Sequence, residues 1–96
     1  MQIENVHISL YDSNMKITVY STETCPYCVR LKDWLDKKSI KYDSYDIEHN
    51  PVAAQNMYRI SKQEYVPFST IEFDDGKVVN VLGFDKESFE KALKNS

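Results

Sequence analysis

The run Met15-Lys16-Ile17-Thr18-Val19-Tyr20-Ser21 alternates apolar with polar residues and is rich in β-branched and aromatic side chains, which predicts a strand. Thr22-Glu23-Thr24 separates it from Cys25-Pro26-Tyr27-Cys28, and there the hydrophobic period changes. Cys28, Leu31, Trp34 and Leu35 recur at three- and four-residue steps, so an amphipathic helix is expected from Pro26 to about Lys38, with Pro26 in its first turn. The two cysteines therefore sit at a strand-to-helix junction.

That junction has chemical consequences. Two cysteines three apart at a helix start share a face and are close enough to bridge. Cys25 lies where unsatisfied backbone N–H groups and the positive end of the helix dipole converge, so its thiolate is favoured. Lowering a thiol's pKa from about 8.5 to about 5.5 raises its thiolate population at pH 7 about 30-fold, but intrinsic nucleophilicity then falls about 16- to 30-fold. The net gain is as a leaving group, when a second thiol attacks a mixed disulfide. Cys28, further into the helix and packed towards Leu31, is expected to titrate higher and to attack second. Arg30 and Lys32 read as solvated helix charges, and Glu23 opposes any positive potential they add.

The remaining chain completes one fold. Lys41 to Ile47 alternates as a second, parallel strand. Asn50-Pro51 is a helix start, and Ala53, Ala54, Met57 and Tyr58 supply the buried stripe of a short second helix. Phe68–Phe73 and Lys77–Leu82 flank Asp74-Asp75-Gly76, a hairpin signal. Asp85 is placed to cap a last helix running to about Asn95, with Phe84 stapled on Phe89 and with Phe89, Ala92 and Leu93 facing inward. The order β-α-β-α-β-β-α is an α/β arrangement with a right-handed parallel unit followed by a hairpin and a closing helix. Pro67, at the start of the third strand, marks a special turn.

At 96 residues and 42% hydrophobic content the chain suits one core. A net charge of -3, with Lys and Arg scattered among acids, argues against nucleic-acid binding. No apolar run approaches a membrane span, and Met1-Gln2-Ile3-Glu4-Asn5 lacks the features of a signal peptide, so a cytoplasmic protein is expected. In that reducing compartment, two cysteines with only two residues between them serve chemistry better than cross-linking.

These residues resemble the glutaredoxin family of the thioredoxin fold, from about Met15 to Leu93. Cys25-Pro26-Tyr27-Cys28 equals the family's dithiol motif, Val66-Pro67 matches its cis-proline loop, and Gly83-Phe84-Asp85 is similar to the turn before its last helix. The resemblance implies a four-stranded mixed sheet ordered 2-1-3-4 and flanked by three helices, a cis Pro67, and disulfide reduction through Cys25 and Cys28. It further implies no bound cofactor, and glutathione as co-substrate beside Cys25, with its cysteinyl backbone on Val66 and its γ-glutamyl end near Asp85. Pro26, Tyr27, Thr22, Tyr65, Val66, Pro67, Gly83, Phe84 and Asp85 are then the binding residues. Tyr27, between two reactive thiols, is expected to be exposed and to contact substrate.

Three positions depart from the family pattern. Thr22 stands where a lysine is usual, Tyr65 where a threonine is usual, and Leu82 with Gly83 where Gly-Gly is usual. Each weakens a glutathione site, since one charge-assisted contact is worth about 1.5 to 3 kcal/mol; Arg59 or Lys62 is the candidate replacement at the glycyl carboxylate. Similar redoxins draw electrons from thioredoxin reductase and serve ribonucleotide reductase, so thioredoxin reductase is the alternative donor. Disulfide-bearing proteins are the expected substrates of a monomer.

Two other readings have less support. Half a zinc site would need partners beyond the two cysteines, and His7 and His49 are both distant in sequence. A thiol-based iron-sulfur carrier is a minor alternative implied by the resemblance. Residues 1–14 form an extension ahead of the 15–96 domain, and alternation at Val6, Ile8 and Leu10 suggests an added strand on a sheet edge or a neighbouring molecule.

Overall fold

The structure is a computed structural model that describes residues 15–94. The extension at residues 1–14 lies outside the described residues. Strand β1 (Met15–Ser21) leads into helix α1 (Pro26–Lys37), followed by β2 (Asp43–Asp46), α2 (Pro51–Ser61), β3 (Phe68–Phe73), β4 (Val78–Leu82) and α3 (Lys86–Lys94). The sheet order is β2-β1-β3-β4, with β2 parallel to β1 and the β1–β3 and β3–β4 pairs antiparallel. This is the four-stranded mixed sheet with three helices that the sequence order implies.

Strand alternation divides the core in two. Ile17 and Val19 of β1, Ile71 of β3 and Val81 of β4 meet Leu31 and Leu35 of α1 and Phe89 and Ala92 of α3. Tyr20 and Phe68, one position out of phase, meet Ala53 and Met57 of α2. Trp34 packs across the α1–α3 seam, its ring 6.0 Å from that of Phe89 and 6.1 Å from that of Phe84. Fully buried Phe89 anchors the last helix, and truncating such a side chain costs about 3 to 5 kcal/mol.

Local chemistry sets the element ends. Asn50 Oδ1 accepts from the Ala53 N–H at 3.1 Å, capping α2, and Pro51 occupies the first turn, where its missing N–H costs nothing. Asp85 caps α3, its Oδ1 accepting from the Ser88 N–H at 3.2 Å. The hairpin loop uses three residues, Asp74-Asp75-Gly76, with the Gly76 N–H donating to the Phe73 carbonyl. Gly76 takes φ 91°, the left-handed position that closes such a loop as a bulge.

Two features differ from the sequence reading. Tyr58 is 55% exposed, because the sheet-facing stripe of α2 narrows to Ala53 and Met57, four residues apart, and Tyr58 lies one step round from it. The second strand is shorter than Lys41–Ile47, because alternation there persists through flanking residues that only partly join the ladder. The Ile47 N–H nevertheless donates to the Ser21 carbonyl at 3.0 Å and holds the end of β1 to the chain after β2.

Candidate active site

Helix α1 begins at Cys25, which is its N-cap in an extended conformation. Ser, Thr, Asp or Asn usually fills this position with an oxygen acceptor. Here sulfur takes that place: the Cys28 N–H donates to Cys25 Sγ at 3.2 Å. The first turn of α1 carries no acidic residue to oppose negative charge on that sulfur. Cys25 is partly exposed, whereas Cys28 is fully buried one turn on, and both are free thiols.

The two thiols are therefore in unequal surroundings. Burial pushes the Cys28 thiol up to about 12, and its hydrogen bond with Cys25 adds to the rise. The Thr22 backbone and the Lys32 charge act in the opposite direction. A buried sulfur stays protonated until a neighbour or a reaction step stabilises its anion, while the sulfur at the helix mouth is open to an incoming disulfide.

Across from Cys25 stands the loop before β3. The Val66–Pro67 peptide is cis, as the resemblance implied, and the Cys25 thiol donates to the Val66 carbonyl at 3.8 Å. The Pro67 carbonyl accepts from the Gly83 N–H at 2.7 Å, and Gly83 adopts φ 82°, where any other residue would be strained. Cys25, Val66, Pro67 and Gly83 are thus tied in one continuous chain of contacts.

Tyr65 is fixed at the rim of this loop. The Gln63 side chain donates through Nε2 to the Tyr65 carbonyl and accepts the Tyr65 N–H at Oε1, so one amide satisfies both backbone groups. The same Nε2 reaches Ser61 Oγ, and that hydroxyl donates to the Met57 carbonyl at 2.7 Å. Tyr65 is 76% exposed on this braced loop, and Tyr27, between the cysteines, is 58% exposed. The Arg30 guanidinium lies 5.3 Å from the Tyr27 ring centre, a cation–π pairing that turns this charge to the ring.

The other expected binding residues have structural occupations. Phe84 packs edge-on against Trp34, with the Lys86 ammonium 5.8 Å from its ring centre. The Asp85 carboxylate is committed to Ser88, accepting from both its N–H and its hydroxyl, and these bonds hold its pKa below the ordinary carboxylate value. Thr22 contributes its backbone towards Cys28. Arg59 donates to Asn56 at 2.9 Å.

Several interactions were not visible as sequence motifs. They are the Gln63 brace, a Lys32–Ser21 hydrogen bond at 3.3 Å, and a 2.7 Å pairing of His49 with Asp46. The spacing of Asp46 and His49 was the one available signal.

A partly exposed N-capping thiol, a buried partner one turn on and a facing cis-proline loop define a dithiol redox protein of the thioredoxin fold. The glutaredoxin family model matches residues 17–72. An uncharacterized glutaredoxin-like 8.6 kDa protein of the rubredoxin operon of Clostridium pasteurianum is 32% identical over 78 residues, covering 81% of this chain and 97% of the relative. The crystal structure of thioredoxin-like protein BC3987 superposes with a TM-score of 0.66 at 28% identity, covering 78% of this chain and 96% of that one. NrdH-redoxin from Escherichia coli, a glutaredoxin-like protein with a thioredoxin-like activity profile, shares the fold at a TM-score of 0.65 and 20% identity, covering 79% of this chain and 92% of that one. The chain belongs to the glutaredoxin family. No helix among the described residues is long and apolar enough to cross a membrane.

Proposed function

We propose that this protein reduces disulfides in proteins, or mixed disulfides of proteins with glutathione, through Cys25 and Cys28. The observation that carries the reading is the unequal pair: a partly exposed Cys25 sulfur accepting the Cys28 N–H at 3.2 Å, with Cys28 itself buried. Cys25 Sγ attacks one sulfur of the substrate disulfide, the substrate S–S bond breaks, and the first substrate thiolate leaves to take a proton from water. Cys28 then attacks Cys25 Sγ, releasing the second substrate thiolate and leaving a Cys25–Cys28 disulfide. Two electrons pass from the protein to the substrate, and the donor returns them.

Glutathione is the expected donor for a dithiol glutaredoxin. It would lie along Val66 and Pro67, with Tyr27 and Tyr65 on either side. Thioredoxin reductase is the second reading, favoured by the lining of this rim. Thr22 provides no side-chain cation, Arg30 faces the Tyr27 ring, Lys32 bonds Ser21, and Tyr65 and Leu82 present apolar surface. Such a rim suits a protein partner better than a small peptide with two carboxylates to bind. The expected localisation is the cytoplasm, where reduced thiols persist.

One comparison separates the donors. Reduction of a small mixed disulfide is followed with glutathione plus glutathione reductase, and separately with thioredoxin reductase. Turnover in the first system alone supports the glutathione reading, and turnover in the second alone supports the other. Activity in neither, with both cysteines intact, overturns disulfide reduction as the function.

A further inference from the structure

Lys32 occupies a place that its sequence position does not announce. It lies four residues after Cys28 on α1, so the two side chains share one helix face. Its side chain is partly buried, and Nζ donates at 3.3 Å to the hydroxyl of Ser21, which is 1% exposed at the end of β1. Ser21 is a rigid anchor, because it pairs with Asp46 in the sheet and its carbonyl accepts from the Ile47 N–H. An ammonium group is thereby drawn inward to the end of β1, although a lysine on a helix surface gains more hydration by extending into water.

We propose that Lys32, held on Ser21, is a positioning residue that supplies the charge opposing the Cys28 thiolate while that thiolate attacks the mixed disulfide on Cys25. The proposal rests on Cys25 and Cys28 being the attacking and resolving thiols. In this step the Cys28 proton passes to solvent, the Cys28–Cys25 S–S bond forms, and the bond from Cys25 to the substrate sulfur breaks. The substrate leaves as a thiolate, so charge moves from beside Lys32 outward to the helix mouth.

The groups acting on Cys28 are few. Cys25 and Lys32 come from its own helix, and the Thr22 backbone comes from the loop after β1. Burial and Cys25 disfavour the anion, while Thr22 and Lys32 favour it. Lys32 is the one full positive charge among these groups. Because the buried sulfur cannot recruit bulk water as a counter-dipole, a nearby fixed charge has more effect there than on an exposed thiol.

The magnitude follows from two opposing effects. Raising the Cys28 pKa by one unit removes about nine tenths of its thiolate well below the midpoint, while the thiolate's intrinsic reactivity rises about threefold. Neutralising Lys32 therefore slows resolution about threefold, and reversing the charge slows it about tenfold.

The test uses the full chain, reduced and mixed with excess glutathione disulfide, with formation and decay of the Cys25 adduct followed by rapid quenching and mass measurement from pH 6 to 9. In K32M the adduct decays about threefold more slowly than in wild type, in K32E about tenfold more slowly, and in K32R at the wild-type rate, while adduct formation stays within about twofold throughout. The ordering follows charge, which a role in packing alone would not produce. Equal decay rates in all four proteins overturn the proposal, as does a K32R variant as slow as K32M. A wild-type protein that forms neither an adduct on Cys25 nor a Cys25–Cys28 disulfide is a different failure, because it overturns the disulfide-reductase reading itself.

Discussion

The Cys28 N–H donates to Cys25 Sγ at 3.2 Å, so the cap of helix α1 and its exposed thiol are one atom. Stability and chemistry can therefore be separated by choice of substitution. Cys25→Ser keeps an acceptor at the cap and removes the nucleophile, whereas Cys25→Ala removes both. Chemical denaturation is expected to place the serine variant within about 0.5 kcal/mol of wild type and the alanine variant about 1 kcal/mol lower, with both inactive. Equal stability of the two would show that the sulfur does not cap the helix.

Cys28 behaves differently because it is buried and its thiol is pushed up to about 12. Cys28→Ser leaves the first attack intact and removes the second. Mixing the variant with a disulfide is expected to give a Cys25 adduct that persists at least about 100-fold longer than in wild type without added thiol. Rapid loss of that adduct would assign resolution to a group other than Cys28.

Tyr65 is held by the Gln63 amide while its ring faces solvent, so its energetic role should appear in binding. Tyr65→Ala is expected to raise KM for a protein disulfide about fivefold or more, with stability changed by less than about 0.5 kcal/mol. Gln63→Ala should reproduce part of that loss by loosening the loop. Steady-state kinetics on both variants test this, and unchanged KM in Tyr65→Ala would remove the ring from the binding surface.

Asp46 and His49 form an exposed pair at 2.7 Å. The hydrogen bond to Asp46 raises the His49 pKa above 6.5, and the same bond lowers that of Asp46 below 3.8. The His49 contribution to stability is fully present below pH 6.5 and is lost as pH rises through its raised folded value. The Asp46 contribution is fully present above pH 3.8 and is lost as pH falls through its lowered folded value. Titration of His49 by NMR should show a midpoint above 6.5 in wild type that falls in Asp46→Asn; an unchanged midpoint would mean the pair is not formed.

Ser69 is fully buried on the α1–α3 side of β3, and its hydroxyl has no hydrogen-bond partner among the described residues. Removing an unpaired buried hydroxyl relieves desolvation and leaves only a small void. Ser69→Ala is expected to stabilise the protein by about 1 kcal/mol, read as a higher denaturant midpoint at unchanged slope. A destabilised variant would show that the hydroxyl is hydrogen-bonded.

The sequence disclosed the elements whose signals are local. Alternation marked β1, the three- and four-residue steps marked α1, and Asn50-Pro51 and Asp85 marked the starts of α2 and α3 through their own side chains. Tyr58 misled because a helical stripe read from sequence does not reveal how much sheet lies beneath it. Sulfur at the helix mouth was legible from the Cys-Pro-Tyr-Cys motif, since capping geometry follows from position along the chain. The Lys32–Ser21 bond and the Gln63 brace were not, because each depends on where a flexible side chain turns once two segments have met. Phe84 and Asp85 show the converse: sequence placed them in the right turn, while packing on Trp34 and capping of α3 occupy them there.

The most direct test of disulfide exchange through Cys25 and Cys28 is time-resolved peptide mapping of the reduced wild-type protein after mixing with a protein disulfide. The predicted course is a transient substrate adduct on Cys25, followed by a Cys25–Cys28 disulfide and release of reduced substrate. A first adduct on Cys28, or a substrate reduced while both cysteines remain thiols, would contradict it.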